Sequence, residues 1–369
     1  MTFDAAEAIL LEGAQIGAFP AATAEVGRRD RVLWRSAIGR LTHAHDAAET
    51  TTDTIFDLAS LTKVIATTTL LMRAVDDGIL RVDDRVADWI PEWRGTDREQ
   101  VTLRDLLSHS SGLTAYLPFF RDYTGRAEFQ HAISTLPLEY EPRTKSIYSD
   151  LGFILLVFIL EDARSRQTAA GAVGAFDPTA GFVAQFRKVA SLVTEEPLGF
   201  HPPRHLRGRI APTEHDPWRG RTLVGEVHDE NAWALGGAAG HAGLFGTAAA
   251  VGSFARAVLH TLNGVAVLAR PETMRAFAQR RTEVPGSSRA LGWDTMLPTS
   301  SCGTLMSPTA IGHTGFTGTS LWIDWERDLY VVLLTNRVYP TRENEEGIRQ
   351  IRRRFHDAVL AAATTPGAE

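Results

Sequence analysis

A serine and a lysine three positions apart, Ser60 and Lys63, are the first residues of this chain to indicate covalent chemistry. At the start of a predicted helix this spacing puts both side chains on one face, with Cβ atoms roughly 5 to 6 Å apart. A serine hydroxyl is a poor nucleophile until a neighbouring base takes its proton. Lys63 can act in this way only if burial or a nearby cation keeps it neutral. The bare motif also fits a helix cap followed by a surface lysine.

Two motifs further along the chain strengthen the first. Tyr148-Ser149-Asp150 stands just before an apolar run, and Gly312-His313-Thr314-Gly315 stands just before a predicted strand. Together, in this order and with these spacings, the three motifs resemble the serine β-lactamase and DD-peptidase superfamily, in particular its class C-like branch. The segment 106–113, Leu-Leu-Ser-His-Ser-Ser-Gly-Leu, looks like the helix end and loop that members carry between the first two motifs.

The resemblance implies a role for each matching residue. Ser60 would be acylated, and Lys63 would be its proton acceptor or electrostatic partner. Tyr148 would shuttle the proton to the leaving group and then activate the deacylating water; which of Lys63 and Tyr148 is the kinetic base stays open. The backbone NH groups of Ser60 and Phe316 would form an oxyanion hole, where one donor is commonly worth about 100- to 1000-fold in rate. The implied substrate-binding residues are Asp150, His313, Thr314 and Gly315, and a glycine at this last position lets the strand edge approach the substrate.

Two positions depart from the family pattern. Asp150 stands where the family usually has Asn, so it offers an acceptor that can pair with Lys63 and hold it charged. That pairing puts Lys63 in doubt as the sole base. His313 replaces the Lys that is usual in β-lactamases, and with a reference pKa near 6.5 it carries little charge at neutral pH. Carboxylate binding by this motif is therefore expected to be weak, although some DD-peptidases of the superfamily also carry His-Thr-Gly.

A further stretch narrows the expected substrate. Residues 227–232, Val-His-Asp-Glu-Asn-Ala, and 240–245, Gly-His-Ala-Gly-Leu-Phe, resemble a group that includes exo-acting N-acetylmuramoyl-L-alanine amidases. We therefore expect a cofactor-free and metal-free serine hydrolase that cleaves an amide or ester of a small molecule or muropeptide through an acyl-serine intermediate. The alternatives are a class C-like β-lactamase or DD-peptidase, a promiscuous short-chain carboxylesterase resembling family VIII, and, from another class, a non-catalytic penicillin-binding module.

The resemblance and the element pattern predict an α+β fold. The expected architecture is a β-lactamase/transpeptidase-like sandwich, with an antiparallel sheet flanked by helices and an inserted all-helical lobe. Residues 1–60 and 231–369 would form the sandwich lobe and residues 61–230 the mainly helical lobe, as one interleaved catalytic unit. Within it we expect a hairpin over 21–38, a helix over 61–77 and strands at 290–296, 319–325 and 328–336. A long amphipathic helix would span 343–363, with Arg352 to Arg354 on its solvated side.

Composition excludes several other classes of protein. The 369 residues are 44% hydrophobic and 22% charged, which is typical of a globular chain. A net charge of -6 argues against nucleic-acid and anionic-membrane partners. Cys302 is the single cysteine, which excludes an internal disulfide. No signal peptide is visible at the N-terminus, so a cytoplasmic location is expected. The longest apolar run, 151–160, is about half of what a bilayer crossing needs.

Overall fold

The computed structural model describes residues 2–171 and 181–364, apart from the side chains of residues 168–171. Helices and strands are both abundant, as an α+β fold requires. The α-helices are α1 (Asp4–Gln15), α2 (Thr69–Asp76), α3 (Leu103–Leu107), α4 (Gly125–Thr135), α5 (Asp150–Gly171), α6 (Phe182–Val193), α7 (Glu230–Ala234), α8 (Ala248–Leu262), α9 (Pro271–Ala278) and α10 (Glu346–Thr364). The strands are β1 (Ala21–Gly27), β2 (Val32–Gly39), β3 (Phe56–Asp57), β4 (Leu198–Phe200), β5 (His215–Asp216), β6 (Arg221–Thr222), β7 (Leu244–Gly246), β8 (Asp294–Thr295), β9 (Ile311–Thr314), β10 (Ser320–Asp324) and β11 (Leu329–Thr335).

An antiparallel sheet of six strands brings the two ends of the chain together. Its order is β2-β1-β11-β10-β9-β8, so a strand from the first 30 residues pairs with one that ends at Thr335. The pairing of β1 with β11 runs from Ala22 opposite Thr335 to Gly27 opposite Tyr330. Strand pairs so distant in sequence can form only when most of the chain is folded.

Alternating side chains send the two faces of this sheet into different hydrophobic layers. Along β11, Val331 and Leu333 face the layer made with α1 and α10, while Val332 and Leu334 face the larger core that contains α8. This is the two-residue period expected of a strand. Because both faces are covered, the strand is apolar throughout, as its sequence indicates.

The helical middle of the chain packs into the same large core. The apolar run at 151–160 is buried within the 22-residue helix α5. None of the helices in the described part of the chain is both long and apolar enough to cross a membrane. A reciprocal hydrogen-bond pair between Thr102 and Asp105 caps the start of α3, which leads into the segment that carries His109.

The helix predicted over 61–77 is present, with π-helical geometry from Lys63 to Thr68 before α2 begins. Two other expectations at the level of elements were wrong. The strand predicted over 290–296 shrinks to Asp294–Thr295, because Arg289 and Asp294 form an isolated bridge across a tight turn. Arg352 is only 7% exposed, so the solvated side expected for Arg352 to Arg354 is wrong at its first residue. Arg354 alone of the three is exposed, and it pairs with Glu12.

Helix α8 lies so close to β1 that a glycine is needed at the contact. Glu25 of β1 is fully buried, and it accepts hydrogen bonds from Tyr330 Oη at 2.6 Å and from Arg256 Nη1 at 3.1 Å. A Cβ atom on Gly252 would overlap the Glu25 carboxylate and approach the Tyr330 ring. The buried Glu25 carboxylate and its hydrogen-bond partners therefore fill the contact between the sheet and α8. They leave no space for a methyl group on Gly252.

We predict that Gly252→Ala destabilises the protein, although the same change in an open helix stabilises by about 1 kcal/mol. The expected loss is about 1 to 3 kcal/mol, because the methyl group overpacks the site and displaces a buried carboxylate. The matched control is Gly152→Ala in α5, where the nearest atoms to a new Cβ lie at 3.5 Å or more. Urea unfolding of the two variants checks this prediction; equal midpoints would refute it.

Candidate active site

Ser60 lies at a strained turn between β3 and the π-helical segment. The residue before it, Ala59, has a φ of 47°, which an alanine adopts only when its surroundings impose it. Asp57 imposes part of this conformation, because its Oδ1 accepts a hydrogen bond of 2.8 Å from the Ala59 amide. Thr317 and Thr319 donate their hydroxyls to the carbonyls of Asp57 and Leu58. The turn that carries Ser60 is thus fixed to the β9–β10 connection.

Two backbone NH groups converge beside this turn. Within residues 2–171 and 181–364, neither the Ser60 amide nor the Phe316 amide has a hydrogen-bond partner in the protein. Gly315 allows the two chain segments to meet, since a Cβ there would lie 2.7 Å from the Leu58 carbonyl oxygen. The sequence predicts that a glycine at 315 lets the strand edge approach a substrate. In the structure Gly315 lets its own segment approach the residues just before Ser60. Two free NH donors are the element an oxyanion hole needs.

Lys63 is fully buried and contacts three oxygen atoms. Its Nζ lies 3.0 Å from Ser60 Oγ, 2.6 Å from Asp150 Oδ1 and 3.3 Å from the carbonyl oxygen of His241. Asp150 is the first residue of α5, so this helix positions the carboxylate beside Lys63. The family pattern has an amide side chain at this position. A buried ammonium with one carboxylate and two neutral acceptors has all three of its donors used.

The charge state of Lys63 follows from this environment. Burial lowers the pKa of Lys63, but attraction to Asp150 and contacts with Tyr148 overcome it, and the net pKa is raised above the ordinary value of 10.5. Lys63 is therefore an ammonium at neutral pH. In this state its Nζ donates a hydrogen bond to Ser60 Oγ and has no lone pair with which to accept a proton.

Tyr148 lies near both Ser60 and Lys63, among other rings. Its ring centroid lies 4.7 Å from that of His109 and 5.7 Å from that of His313, and Lys63 Nζ lies 4.7 Å from the ring centroid. Burial raises the pKa of Tyr148, while the Lys63 charge and polar contacts with Lys63 and Ser60 oppose the rise. Tyr148 is thus a neutral phenol at rest.

His109 holds the Tyr148 segment in place, a role that the sequence did not reveal. Its Nδ1 accepts the Ser149 amide at 3.0 Å, and its carbonyl oxygen accepts the Ile147 amide and the Tyr140 hydroxyl. Burial, with the nearby charges of Arg289 and Lys63, lowers the pKa of His109 well below 6.5. A neutral ring can accept at Nδ1, whereas an imidazolium could not. The one indication in the sequence is the place of His109 at the centre of segment 106–113, which resembles a segment that family members carry.

His313 lies in the cleft as a neutral ring. Its Nδ1 lies 2.8 Å from the Thr314 carbonyl oxygen, which can only accept, so the proton is on Nδ1. Burial, together with the charges of Lys63 and Arg289, lowers the pKa of His313 well below 6.5. His313 therefore supplies no positive charge for a substrate carboxylate at neutral pH.

Arg289 supplies a cation that the motifs did not indicate. Its guanidinium carbon lies 5.2 Å from the centroid of the Tyr148 ring. It lines the same cleft of about 900 Å³ as Ser60, Tyr148, Asp150, His313, Thr314 and Gly315. Asp294 is its nearest carboxylate, at 3.9 Å, which is too long for a hydrogen bond. Arg289 lies outside every motif, so only the folded structure brings it to the site.

Asp229 and His241, from the two segments that narrowed the substrate class, form a pair beside Lys63. His241 Nε2 lies 2.8 Å from Asp229 Oδ1, and Asp229 also caps α7 by accepting the Ala232 amide. Burial raises the pKa of Asp229, but His241 overcomes this effect and the pKa falls well below its usual range. Asp229 is one of six acidic residues that line the cleft, with Asp150, Glu230, Asp294, Glu345 and Glu346. Throughout the described residues, no cluster of three or more His, Cys, Asp or Glu side chains has the arrangement of a metal site.

The comparisons with known proteins agree with this architecture. Residues 7–354 match the family model described as Beta-lactamase, and the chain belongs to that family. It is a serine hydrolase of the β-lactamase and D-alanyl-D-alanine carboxypeptidase type. A relative from Escherichia coli (strain K12), provisionally named D-alanyl-D-alanine carboxypeptidase, is 35% identical over 326 residues, which cover 78% of this chain and 70% of that protein. A relative of the same name from Salmonella gallinarum is 32% identical, covering 85% of this chain and 76% of its own.

Solved structures show the same fold at lower identity. EstCE1, a hydrolase with promiscuous acyltransferase activity, superimposes with a TM-score of 0.72 at 20% identity, covering 97% of this chain and 98% of its own. A class C β-lactamase from Rhodobacter sphaeroides gives a TM-score of 0.71 at 20% identity, covering 97% and 99%. The predicted α+β fold and the resemblance to the serine β-lactamase and DD-peptidase superfamily are confirmed.

We predict that Asp150→Asn lowers the pKa of Lys63, because burial is then no longer opposed by a carboxylate at 2.6 Å. If turnover needs the ammonium, the rate of the variant declines at a lower pH on the alkaline side than that of the wild type. If turnover needs a neutral amine, the variant is instead faster near neutral pH. We expect the first result.

The measurement is kcat/KM for a neutral p-nitrophenyl ester across the range of about pH 6 to 10. Asp162→Asn is the matched control, since it removes a carboxylate from the same helix, one that pairs with Arg126. An Asp150→Asn enzyme that outperforms the wild type at neutral pH would show that Lys63 acts as the base.

Proposed function

We propose that this protein hydrolyses an amide bond in peptidoglycan-derived peptides through an acyl-Ser60 intermediate. The D-alanyl-D-alanine type of bond, in which the leaving group carries a carboxylate, is the first candidate. The observation that carries this proposal is the position of Arg289 beside the Tyr148 ring, in the cleft that Ser60 lines. The relatives that share about a third of the sequence bear the name of such a carboxypeptidase, which supports it.

The proton path in this proposal uses Tyr148 as a relay. Ser60 Oγ attacks the carbonyl carbon and passes its proton to the Tyr148 hydroxyl oxygen, while Tyr148 gives its own proton to the leaving nitrogen. No group needs to be a free base at rest, which agrees with a charged Lys63 and a neutral Tyr148. Lys63 stabilises the developing charge on Oγ, and the free amides of Ser60 and Phe316 would bind the oxyanion.

Deacylation would run through the same atoms in reverse. A water molecule takes the place of the departed amine, gives a proton to the Tyr148 oxygen and attacks the acyl carbon. Tyr148 then returns a proton to Ser60 Oγ, which restores the resting enzyme and releases the acid. Asp150 and His109 hold Lys63 and the Tyr148 segment throughout, without contacting the acyl group in this scheme.

Arg289 provides the reason to prefer a leaving group with a carboxylate. Tyr148 donates the proton to the leaving nitrogen, so the departing amino acid lies on the Tyr148 side of the cleft. A carboxylate one carbon away from that nitrogen would come within reach of the guanidinium, and arginine binds carboxylates through two parallel hydrogen bonds. His313 is neutral in this structure, so the cation comes from Arg289 instead.

The muramoyl-L-alanine amide is the second candidate. Its support is the Asp229 and His241 pair, which lies in the cleft and comes from the two segments that resemble the amidase group. In such a substrate the leaving alanine continues into a peptide and carries no free carboxylate next to the scissile bond. The two candidates therefore differ in their need for Arg289.

We predict that Ser60→Ala abolishes both turnover and covalent labelling by a fluorophosphonate, because no other hydroxyl lies at the position of Oγ. The substrate panel is a peptide ending in D-Ala-D-Ala, a muropeptide, nitrocefin and p-nitrophenyl butyrate. The expected order places the D-Ala-D-Ala peptide first. Arg289→Gln is expected to lower kcat/KM for this peptide by roughly tenfold or more, the loss typical of a charged hydrogen bond, and to leave the neutral ester within about twofold.

Each other outcome has its own meaning. Release of peptide from the muropeptide without cleavage of D-Ala-D-Ala would establish the second candidate, and fast turnover of only the ester would establish a carboxylesterase. Turnover of nitrocefin alone would indicate a β-lactamase. A single stoichiometric burst would indicate a penicillin-binding module. Retained turnover in Ser60→Ala would contradict the acyl-Ser60 intermediate.

A further inference from the structure

Two arginines of the active-site cleft are buried without a carboxylate partner. Arg337 follows β11 and is 3% exposed, and Arg352 of α10 is 7% exposed; both line the cleft that contains Ser60. Within the described residues, no carboxylate oxygen lies within 4 Å of either guanidinium. The neighbouring arginines differ, since Arg342 is bound to Glu214 and Glu230, and Arg349 is bound to Glu345.

Neutral groups of the protein bind these two cations: backbone carbonyls bind both, and the Phe316 ring centroid lies 4.5 Å from the guanidinium carbon of Arg337. Arg337 Nε donates to the Phe316 carbonyl at 2.8 Å, and its Nη1 donates to the Arg342 carbonyl at 2.9 Å. Arg352 Nη2 donates to the Thr319 carbonyl at 3.3 Å. Arg352 Nε is buried and has no hydrogen-bond partner among the described residues. A guanidinium has five donors, so several of them remain unused on the pair.

Burial disfavours the positive charge on both arginines. It lowers the pKa of Arg352 to about 10, and the charge of Arg337 contributes to the fall while Glu345 opposes it. Burial likewise lowers the pKa of Arg337, with the charges of Arg349 and Arg342 acting in the same direction and Glu345 opposing them. Both groups still carry a charge at neutral pH. Buried like charges without a counter-ion are costly, and a bound anion would remove that cost.

We propose that Arg337 and Arg352 form a subsite for a second carboxylate of the substrate. This proposal rests on the proposed function and adds the substrate class, an acidic peptide with at least two carboxylates. Arg337 binds the carbonyl of the same residue, Phe316, whose amide is the candidate oxyanion donor. The subsite therefore lies on the Phe316 side of the scissile bond, whereas Arg289 lies on the Tyr148 side.

The planar guanidinium fork accounts for the choice of a carboxylate. Two arginines that line one cleft match an anion with two or three acceptor oxygens, in a way that a lysine ammonium does not. A free phosphate ion shares this chemistry and is the competing source of the anion. The whole chain has a net charge of -6. The two arginines without a carboxylate partner are therefore a local feature of the cleft and do not follow from the overall charge.

Binding to the Ser60→Ala protein tests the subsite independently of turnover. Calorimetric titrations with glutarate, inorganic phosphate and a peptide that ends in D-Ala-D-Ala and carries an additional carboxylate compare Ser60→Ala with the same protein bearing Arg352→Met. We expect the peptide to bind most tightly and Arg352→Met to weaken it by roughly tenfold or more. The matched control is Arg354→Met, because Arg354 is exposed on the same helix and pairs with Glu12 instead.

Stability separates a ligand site from a structural role. Replacing a buried, unpaired cation by methionine is expected to leave the melting temperature unchanged or higher in anion-free buffer. A lower melting temperature with unaltered peptide binding would overturn the proposal, as would phosphate binding more tightly than the peptide. If Arg352→Met does not fold, Arg352→Lys provides the test, since it keeps the charge, loses the fork and should still weaken the peptide. A peptide that binds through Arg352 but is not cleaved by the wild type would refute the proposed function and retain the subsite.

Discussion

The contact between the Lys63 ammonium and the Asp150 carboxylate is the interaction on which the rest of the site depends. A fully buried lysine is tolerated only when a counter-charge replaces the water that it has lost. Asp150 provides that charge from the start of α5, and Ser60 and the His241 carbonyl take the other two donors. One buried cation thus ties together the turn that carries Ser60, helix α5 and the segment after α7. Its charge also determines which proton transfers are available to Ser60.

Hydrogen bonds from neighbouring segments then fix the positions of Ser60 and Tyr148. Asp57 and the hydroxyls of Thr317 and Thr319 fix the turn before Ser60, and His109 fixes the segment that carries Tyr148. These groups come from separate parts of the chain. The site therefore exists only when the sheet and the helical region are folded against each other, so we propose that both regions form one catalytic unit.

The fold and the principal motif residues could be predicted because they depend on local pattern and on spacing. Ser60 and Lys63 share a helical face, and the alternation along β11 follows from its apolar run. Arg289 could not be found in this way, because its place beside Tyr148 depends on a turn far from any motif. Arg352 was misplaced for a related reason. Its position suggested the solvated face of α10, but the cleft next to that face encloses its long side chain.

The charge of Lys63 can be measured directly, because the chain contains just three lysines, Lys63, Lys145 and Lys188. Labelling with [ζ-15N]lysine gives one NMR signal for each, and Lys145 and Lys188 are exposed whereas Lys63 is buried. Free lysine in the same buffer is the reference, and it loses its ammonium shift as the pH rises through about 10.4. The account predicts that the Lys63 signal keeps its ammonium shift when the free lysine has half titrated. A Lys63 signal that titrates below about pH 8 would contradict it.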